Sequence, residues 1–248
     1  QSLRGELDSL RECTALINLD LHGCCELSGS LAAIGNCTAL TNIDLTNCQS
    51  LHGTLDALCN CTSLTKLNLN GCIGLIGTLS AIASCTALVS FNLSGCHGLC
   101  GPVGALGSCT SLKDLQADLC ESLIGTMDEL GNCSTLINIT FRGCRALTGS
   151  IEALGKCTAL TNLDLGNCLG LEGPISAIGK CTTMITLNLE GCKKINGDIG
   201  ELRNCLAIKS LNISDCISLN GAVSPEGVAF VCYLRNANAV IQLPSSAI

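Results

Sequence analysis

The chain has 248 residues, of which 47% are hydrophobic, 13% are charged and 22 are cysteine, and its net charge is −7. No apolar run approaches the roughly 18 residues that would carry a helix across a bilayer, so direct membrane insertion is not expected. No basic stretch offsets the acidic excess, which makes nucleic acid and anionic membrane surfaces poor partners.

The sequence opens in mid-repeat. Leu3, Gly5, Leu7 and Leu10 fall in the columns later held by Leu27, Gly29, Leu31 and Ile34, so residues 1–12 read as a partial leading repeat. Gln1 is then not a natural start, and a processed precursor or a leading segment would explain it. Over residues 13–228 one 24-residue unit recurs nine times without insertion or deletion. Cysteine is followed by Thr or Ser at residues 13, 37, 61, 85, 109, 133, 157 and 181, and Cys205 keeps the step. A unit this short cannot close its own core, so each copy must bury its apolar face against its neighbours and the chain is a solenoid.

Within each unit the alternation Leu19-Asp20-Leu21, seen again at Leu163-Asp164-Leu165, has the period of a strand with one face buried. Stacking these strands gives a parallel sheet with about 4.8 Å per turn, roughly 40 Å for the array. Gly29, Gly53, Gly77, Gly101, Gly125, Gly149, Gly173, Gly197 and Gly221 hold one column, the corner where the backbone needs positive φ or a close approach. Beyond it, apolar residues three apart, as at Leu31 and Ile34 or Ile151 and Leu154, predict one turn of 3₁₀ or α-helix on the back. The period ends at Pro225. Residues 229–248, with Val228 just before them, hold the single Tyr and one of three Phe; they read as a cap over the last turn or as a docking segment for another subunit.

The stretch Leu16-Ile17-Asn18-Leu19-Asp20-Leu21-His22-Gly23-Cys24 resembles the leucine-rich repeat signature LxxLxLxx(N/C), and every turn to about residue 223 follows it. The 24-residue length and the Leu171-Glu172-Gly173-Pro174-Ile175 element look most like the plant-type class. The resemblance implies an α/β fold: a right-handed solenoid with a parallel β-sheet on the concave face and short 3₁₀ or helical turns on the back. Two departures stand out. Cysteine replaces both the ladder Asn and the leading Leu, and one extra residue separates the ladder from Leu27 and its equivalents, which is closer to the cysteine-containing repeats of intracellular leucine-rich proteins.

Eighteen of the cysteines lie in two ladders, one starting at Cys13 and one at Cys24. They are expected to point inward as small hydrophobes, with a thiol able to donate to a backbone carbonyl as Asn does elsewhere in the family. So many buried thiols favour a reducing, intracellular compartment, with a secreted or cell-surface location as the alternative. The ladder spacings of 11 and 13 do not converge four ligands, so no metal is expected, and no cofactor. His22, His52 and His97 are scattered, with no repeated nucleophile or acid beside them, so no catalytic residue is assigned. The glycines at 101, 104 and 107 belong to the repeat and are not followed by the Lys-Ser or Lys-Thr of a phosphate loop. Sequons occur at Asn36, Asn60, Asn92, Asn132, Asn138 and Asn212; sugars on Asn92, Asn138 or Asn212 would obstruct the concave sheet.

Candidate binding residues lie on the concave strand face. Its central column runs Asp20, Asp44, Asn68, Asn92, Gln116, Thr140, Asp164, Asn188, Asn212. This acid and amide ladder either accepts hydrogen bonds from a basic partner or sugar hydroxyls, or solvates the sheet. The fifth and sixth turns break the pattern, with Ala117 and Phe141 in a Leu column and Leu119 where other copies carry Gly, Asn or Asp. Either the large residue compensates the small one in the core, or Lys113, Asp114, Gln116, Asp118, Leu119 and Arg142 form a partner-specific patch. Thr14, Thr38, Thr62, Thr86, Thr110, Thr158 and Thr182, with Ser134, make a further column. Thr at a turn usually bonds local backbone, and an ice-binding array is the alternative. These features point to a non-catalytic scaffold that holds another protein, as a subunit of a larger assembly. A ligand-recognising ectodomain or receptor fragment of the plant-type class is the second reading.

Overall fold

The computed structural model describes residues 4–220 and 224–244. Ten short parallel strands, from Asn18–Asp20 to Val240–Gln242, form the concave sheet in chain order. Each pairs with the next one repeat on, as in Asn18↔Asn42, Leu19↔Ile43 and Asp20↔Asp44. The register follows from the alternation, because a slip of one residue would turn Leu19 and Ile43 out to water and bury the Asp column.

A second row of short strands runs along the corner. It is six-stranded from Gly5–Glu6 to Leu123–Ile124 and four-stranded from Thr148–Ser150 to Leu219–Asn220. The two sheets are joined by a single bridge, Gly125↔Leu147. Nine 3₁₀ turns, the first Leu7–Leu10 and the last Ile199–Leu202, make the back among the described residues. Ser30, Ser150 and Asp198 stand in extended conformation before their turns and accept the N–H two residues on, which starts the 3₁₀ segment.

The corner glycines at 29, 53, 77, 101, 125, 149, 173 and 197 all have positive φ, between +83° and +111°; Gly221 lies outside the described residues, as does Leu3. Their neighbours differ. A Cβ at Gly149 would lie 2.6 Å from Thr126 Cγ2, whereas at Gly125 the nearest atoms, of Pro102, are at 3.4 Å. Val at either position should cost about 1–3 kcal/mol through the forbidden backbone alone. Gly149→Val should be the worse of the two because it also collides with the turn before. Urea unfolding of both variants checks this; equal midpoints would refute the contact.

Leu, Ile and Cys columns fill one continuous core. Sixteen ladder thiols are buried, but Cys13 is exposed and Cys24 is half-buried, which corrects the expectation that all eighteen point into the core. The reason is positional: no concave strand precedes Asn18–Asp20 among the described residues to cover them. In the second ladder each thiol from Cys48 to Cys216 donates to the carbonyl 27 residues back. The bonds are short for sulfur, as in Cys72 Sγ to Leu45 O and Cys168 Sγ to Phe141 O at 2.9 and 3.0 Å. In the first ladder the bonds are longer, 3.5 Å for Cys85 Sγ to Cys61 O. The ladder thiol therefore stands in for Asn, tying each turn to the one before.

At the far end Pro225 opens an α-helix, α1 (Pro225–Asn236), whose N-cap Ser224 accepts from the N–H of Gly227 at 2.9 Å. Phe230, Val231 and Leu234 bury its inner face. The chain then re-enters the concave sheet, with Ser210↔Val240, Leu211↔Ile241 and Asn212↔Gln242 in register. The terminal segment thus contributes a tenth strand as well as a helix over the last turn.

Candidate recognition surface on the concave sheet

The concave column is more committed to structure than its composition suggests. Asp20, Asp44, Asn68, Asn92, Asp164, Asn188 and Asn212 each use Oδ1 to accept the backbone N–H two residues on, at 2.9–3.2 Å. This local ring is what Asp and Asn make readily, and it satisfies the amide where the chain leaves the strand. Cross-turn bonds consume further groups: the Asn68 amide donates to Asp44 at 3.3 Å and that of Asn188 to Asp164 at 2.9 Å. The sequence signal for this role is the near-exclusive use of Asp and Asn in the column.

The fifth and sixth turns are wired differently. Gln116 is too long to close the ring and instead donates to both oxygens of Asp114 at 3.1 and 3.0 Å. Asp114 also receives Ser90 Oγ at 3.2 Å and the Asn138 amide at 2.6 Å, so its carboxylate is held on three sides. In place of the missing rings, the N–H of Asp118 donates to Ser94 Oγ at 3.1 Å and the N–H of Arg142 to Asp118 Oδ1 at 2.8 Å. Burial pushes the Asp118 carboxyl above its ordinary value, opposed first by the Arg142 N–H and then by the nearby Thr140 hydroxyl. That hydroxyl is buried and, though it lies on the Asp118 side, reaches no partner in good hydrogen-bond geometry. Thr140 is the other residue of the column that closes no ring.

Leu119 is the most unusual residue of the surface. Its column, Gly23, Asn47, Gly71, Gly95, Leu119, Gly143, Asn167, Gly191 and Asp215, has positive φ throughout, and Leu119 sits at +62°. Gly, Asn and Asp tolerate that region; a leucine does so under strain. Yet its side chain is 53% exposed, so little burial offsets the strain. It lies over the next turn, where a Cβ on Gly143 would be 3.0 Å from Leu119 Cδ2. His97 Nδ1 donates to its carbonyl at 3.1 Å.

The six patch residues do not form one compact contact. Asp118, Leu119 and Arg142 meet at one border of the sheet, Asp114 and Gln116 lie on its floor, and Lys113 stands at the opposite border, separated from Leu119 by the strand Asp114–Gln116. Arg142 reaches Glu190, 3.5 Å away and two turns on, past the turn whose equivalent residue is Gly166. Toward the first turn the floor opens into a groove whose walls include Asp20, Asp44, Lys66, Asn92, Asp114 and Gln116. The hydroxyls of the Thr14 column bond no local backbone among the described residues; Thr41, Thr65 and Thr161, further along each turn, donate to the carbonyls of the turn before instead.

No protein-family model and no curated protein sequence matches the chain. Solved structures do. The internalin inlF of Listeria monocytogenes is similar over 99% of this chain and 74% of its own, at 19% identity and a TM-score of 0.65. The plant peptide hormone receptor RGFR1, in complex with RGF2, is similar over 96% of this chain, at 20% identity and a TM-score of 0.54. A leucine-rich repeat protein of Leptospira interrogans is similar over 89%, at 17% identity and a TM-score of 0.54. This chain spans 45% of the receptor chain and 56% of the Leptospira chain. At these identities the likeness is one of fold, and it agrees with the parallel ladders, glycine corners and 3₁₀ backs: the chain is a leucine-rich repeat solenoid, with cysteine in the place of the ladder asparagine.

Proposed function

We propose that the chain is a non-catalytic recognition scaffold that holds a protein or peptide on its concave face, with the border at Asp118, Leu119 and Arg142 as the selective contact. Leu119 carries this reading: a strained backbone that presents an apolar side chain to water is a cost the fold alone does not offset, and such strain concentrates at binding sites. The RGFR1 chain of the same fold is in complex with RGF2, which supports the use of this architecture for ligand recognition. His22, His52 and His97 lie in different columns of the repeat, which supports a role without catalysis.

The test is selection of a displayed random-peptide library on the immobilised chain, followed by affinity measurement against two variants. Leu119→Asp with Arg142→Glu should weaken the selected peptides by about tenfold or more, as loss of a buried apolar anchor does. Asn68→Asp with Asn188→Asp adds charge but keeps the ring acceptor, and should change affinity far less. Peptides that bind the first variant as well as the parent would move the site away from this border, with the segment from Val228 to Leu243 next to test.

A further inference from the structure

We propose that the solenoid is two cooperative blocks, turns one to five and turns six to ten, which meet at a weak junction and can open there without global unfolding. Four features mark the junction. The corner sheet stops at Leu123–Ile124 and restarts at Thr148–Ser150, leaving one bridge where other adjacent turns pair over two or three residues. Met127 has φ −93° and ψ 10°, so the 3₁₀ segment of the fifth turn starts only at Asp128, whereas the residues before most other segments are extended. Both residues of the concave column that close no local ring, Gln116 and Thr140, face each other across this junction, and the Thr140 hydroxyl is buried without a well-placed partner. Leu119 adds its strained backbone on the same side.

The concave ladder itself runs through unbroken, with Asp114↔Asn138, Leu115↔Ile139 and Gln116↔Thr140 paired. Of the side-chain bonds that bridge it, Asn138 to Asp114 and the Arg142 N–H to Asp118 are partly or fully exposed and contribute little to cohesion, while the buried Cys144 thiol donates to Ala117 O as its equivalents do in the other turns and so leaves the concave side joined. In a linear array whose stability is a sum of nearest-neighbour contacts, the weakest contact sets where the array divides. The concave sheet is then the hinge and the corner is the side that parts. The second block should open less readily, since α1 packs on its last turn through Phe230, Val231 and Leu234. The division needs no partner on the concave face.

Native-state hydrogen exchange on the intact chain under reducing conditions tests it. The strand amides around Ile43, Leu67 and Phe91 should exchange as one group and those around Ile139, Leu163 and Leu187 as another, at least about tenfold slower, with the step between residues 120 and 138. Restoring the repeat pattern with Gln116→Asn, Leu119→Gly and Thr140→Asp should shrink the step to within about twofold. A smooth profile with no step in the parent overturns the proposal, whether or not the variant folds. A folded variant that keeps the full step overturns the junction residues as its cause.

Discussion

The chain should lose stability in mild alkali, above about pH 9, and unfold by pH 11 under reducing conditions. Burial pushes the thiols of Cys48, Cys85, Cys157, Cys181 and Cys205 up to about 11 from an ordinary 9.0. Those of Cys72, Cys120, Cys133, Cys144, Cys192 and Cys216 are pushed to about 12 for the same reason. Below pH 9 both the folded and the unfolded chain keep these protons, and stability does not depend on them. Above it the unfolded chain releases them while the folded chain cannot, so the unfolded state binds fewer protons and stability falls as pH rises. One unit above the unfolded value each thiol contributes on the order of 1 kcal/mol to unfolding. Together the ladder thiols reach on the order of 10 kcal/mol, comparable with the net stability of an ordinary domain. Circular dichroism followed from pH 7 to 11 should therefore hold to about pH 9 and fall above it, the less stable block first. A chain that keeps its signal at pH 11 would show that the ladders are open to water.

The same ladders show how much of this molecule is legible in its sequence. The period, the strand alternation and the glycine column specify the solenoid because each is repeated nine times, and an error in one copy is outvoted by the others. Legibility fails where a residue has no equivalent. Cys13 and Cys24 fit their columns but have no neighbouring concave strand before them among the described residues, and a column says nothing about neighbours. Asn68 and Asn188 read as free binding groups, whereas much of their hydrogen-bonding capacity is spent on backbone N–H groups and cross-turn carboxylates. The tenth strand is hidden because α1 lengthens its turn: Thr186 pairs with Ser210, 24 residues on, but Ser210 pairs with Val240, 30 residues on. Leu119 is readable as an exception in its column, but its positive φ follows from the geometry that the glycines beside it share.

Ala117 and Phe141 should behave as one unit. They occupy the same column in adjacent turns, both are wholly buried, and the equivalent residues elsewhere are Leu or Ile. Phe141→Ala should cost about 3–5 kcal/mol, because the small Ala117 next to it offers nothing to fill the cavity. Ala117→Phe should cost about 1–3 kcal/mol by overfilling a column that already holds a ring. The double variant keeps the total volume and reverses its order, so its cost should fall short of the sum by about 2 kcal/mol. Urea unfolding of the parent and the three variants completes the cycle. Additive costs, within about 0.5 kcal/mol, would mean that the two sites relax separately and that the exchange of volume between turns is accidental. A coupled result would tie the core to the surface above it: Ala117 immediately precedes Asp118 and Leu119, and Phe141 immediately precedes Arg142. The residues that set the volume at the junction would then also set the footing of the border proposed to recognise a partner.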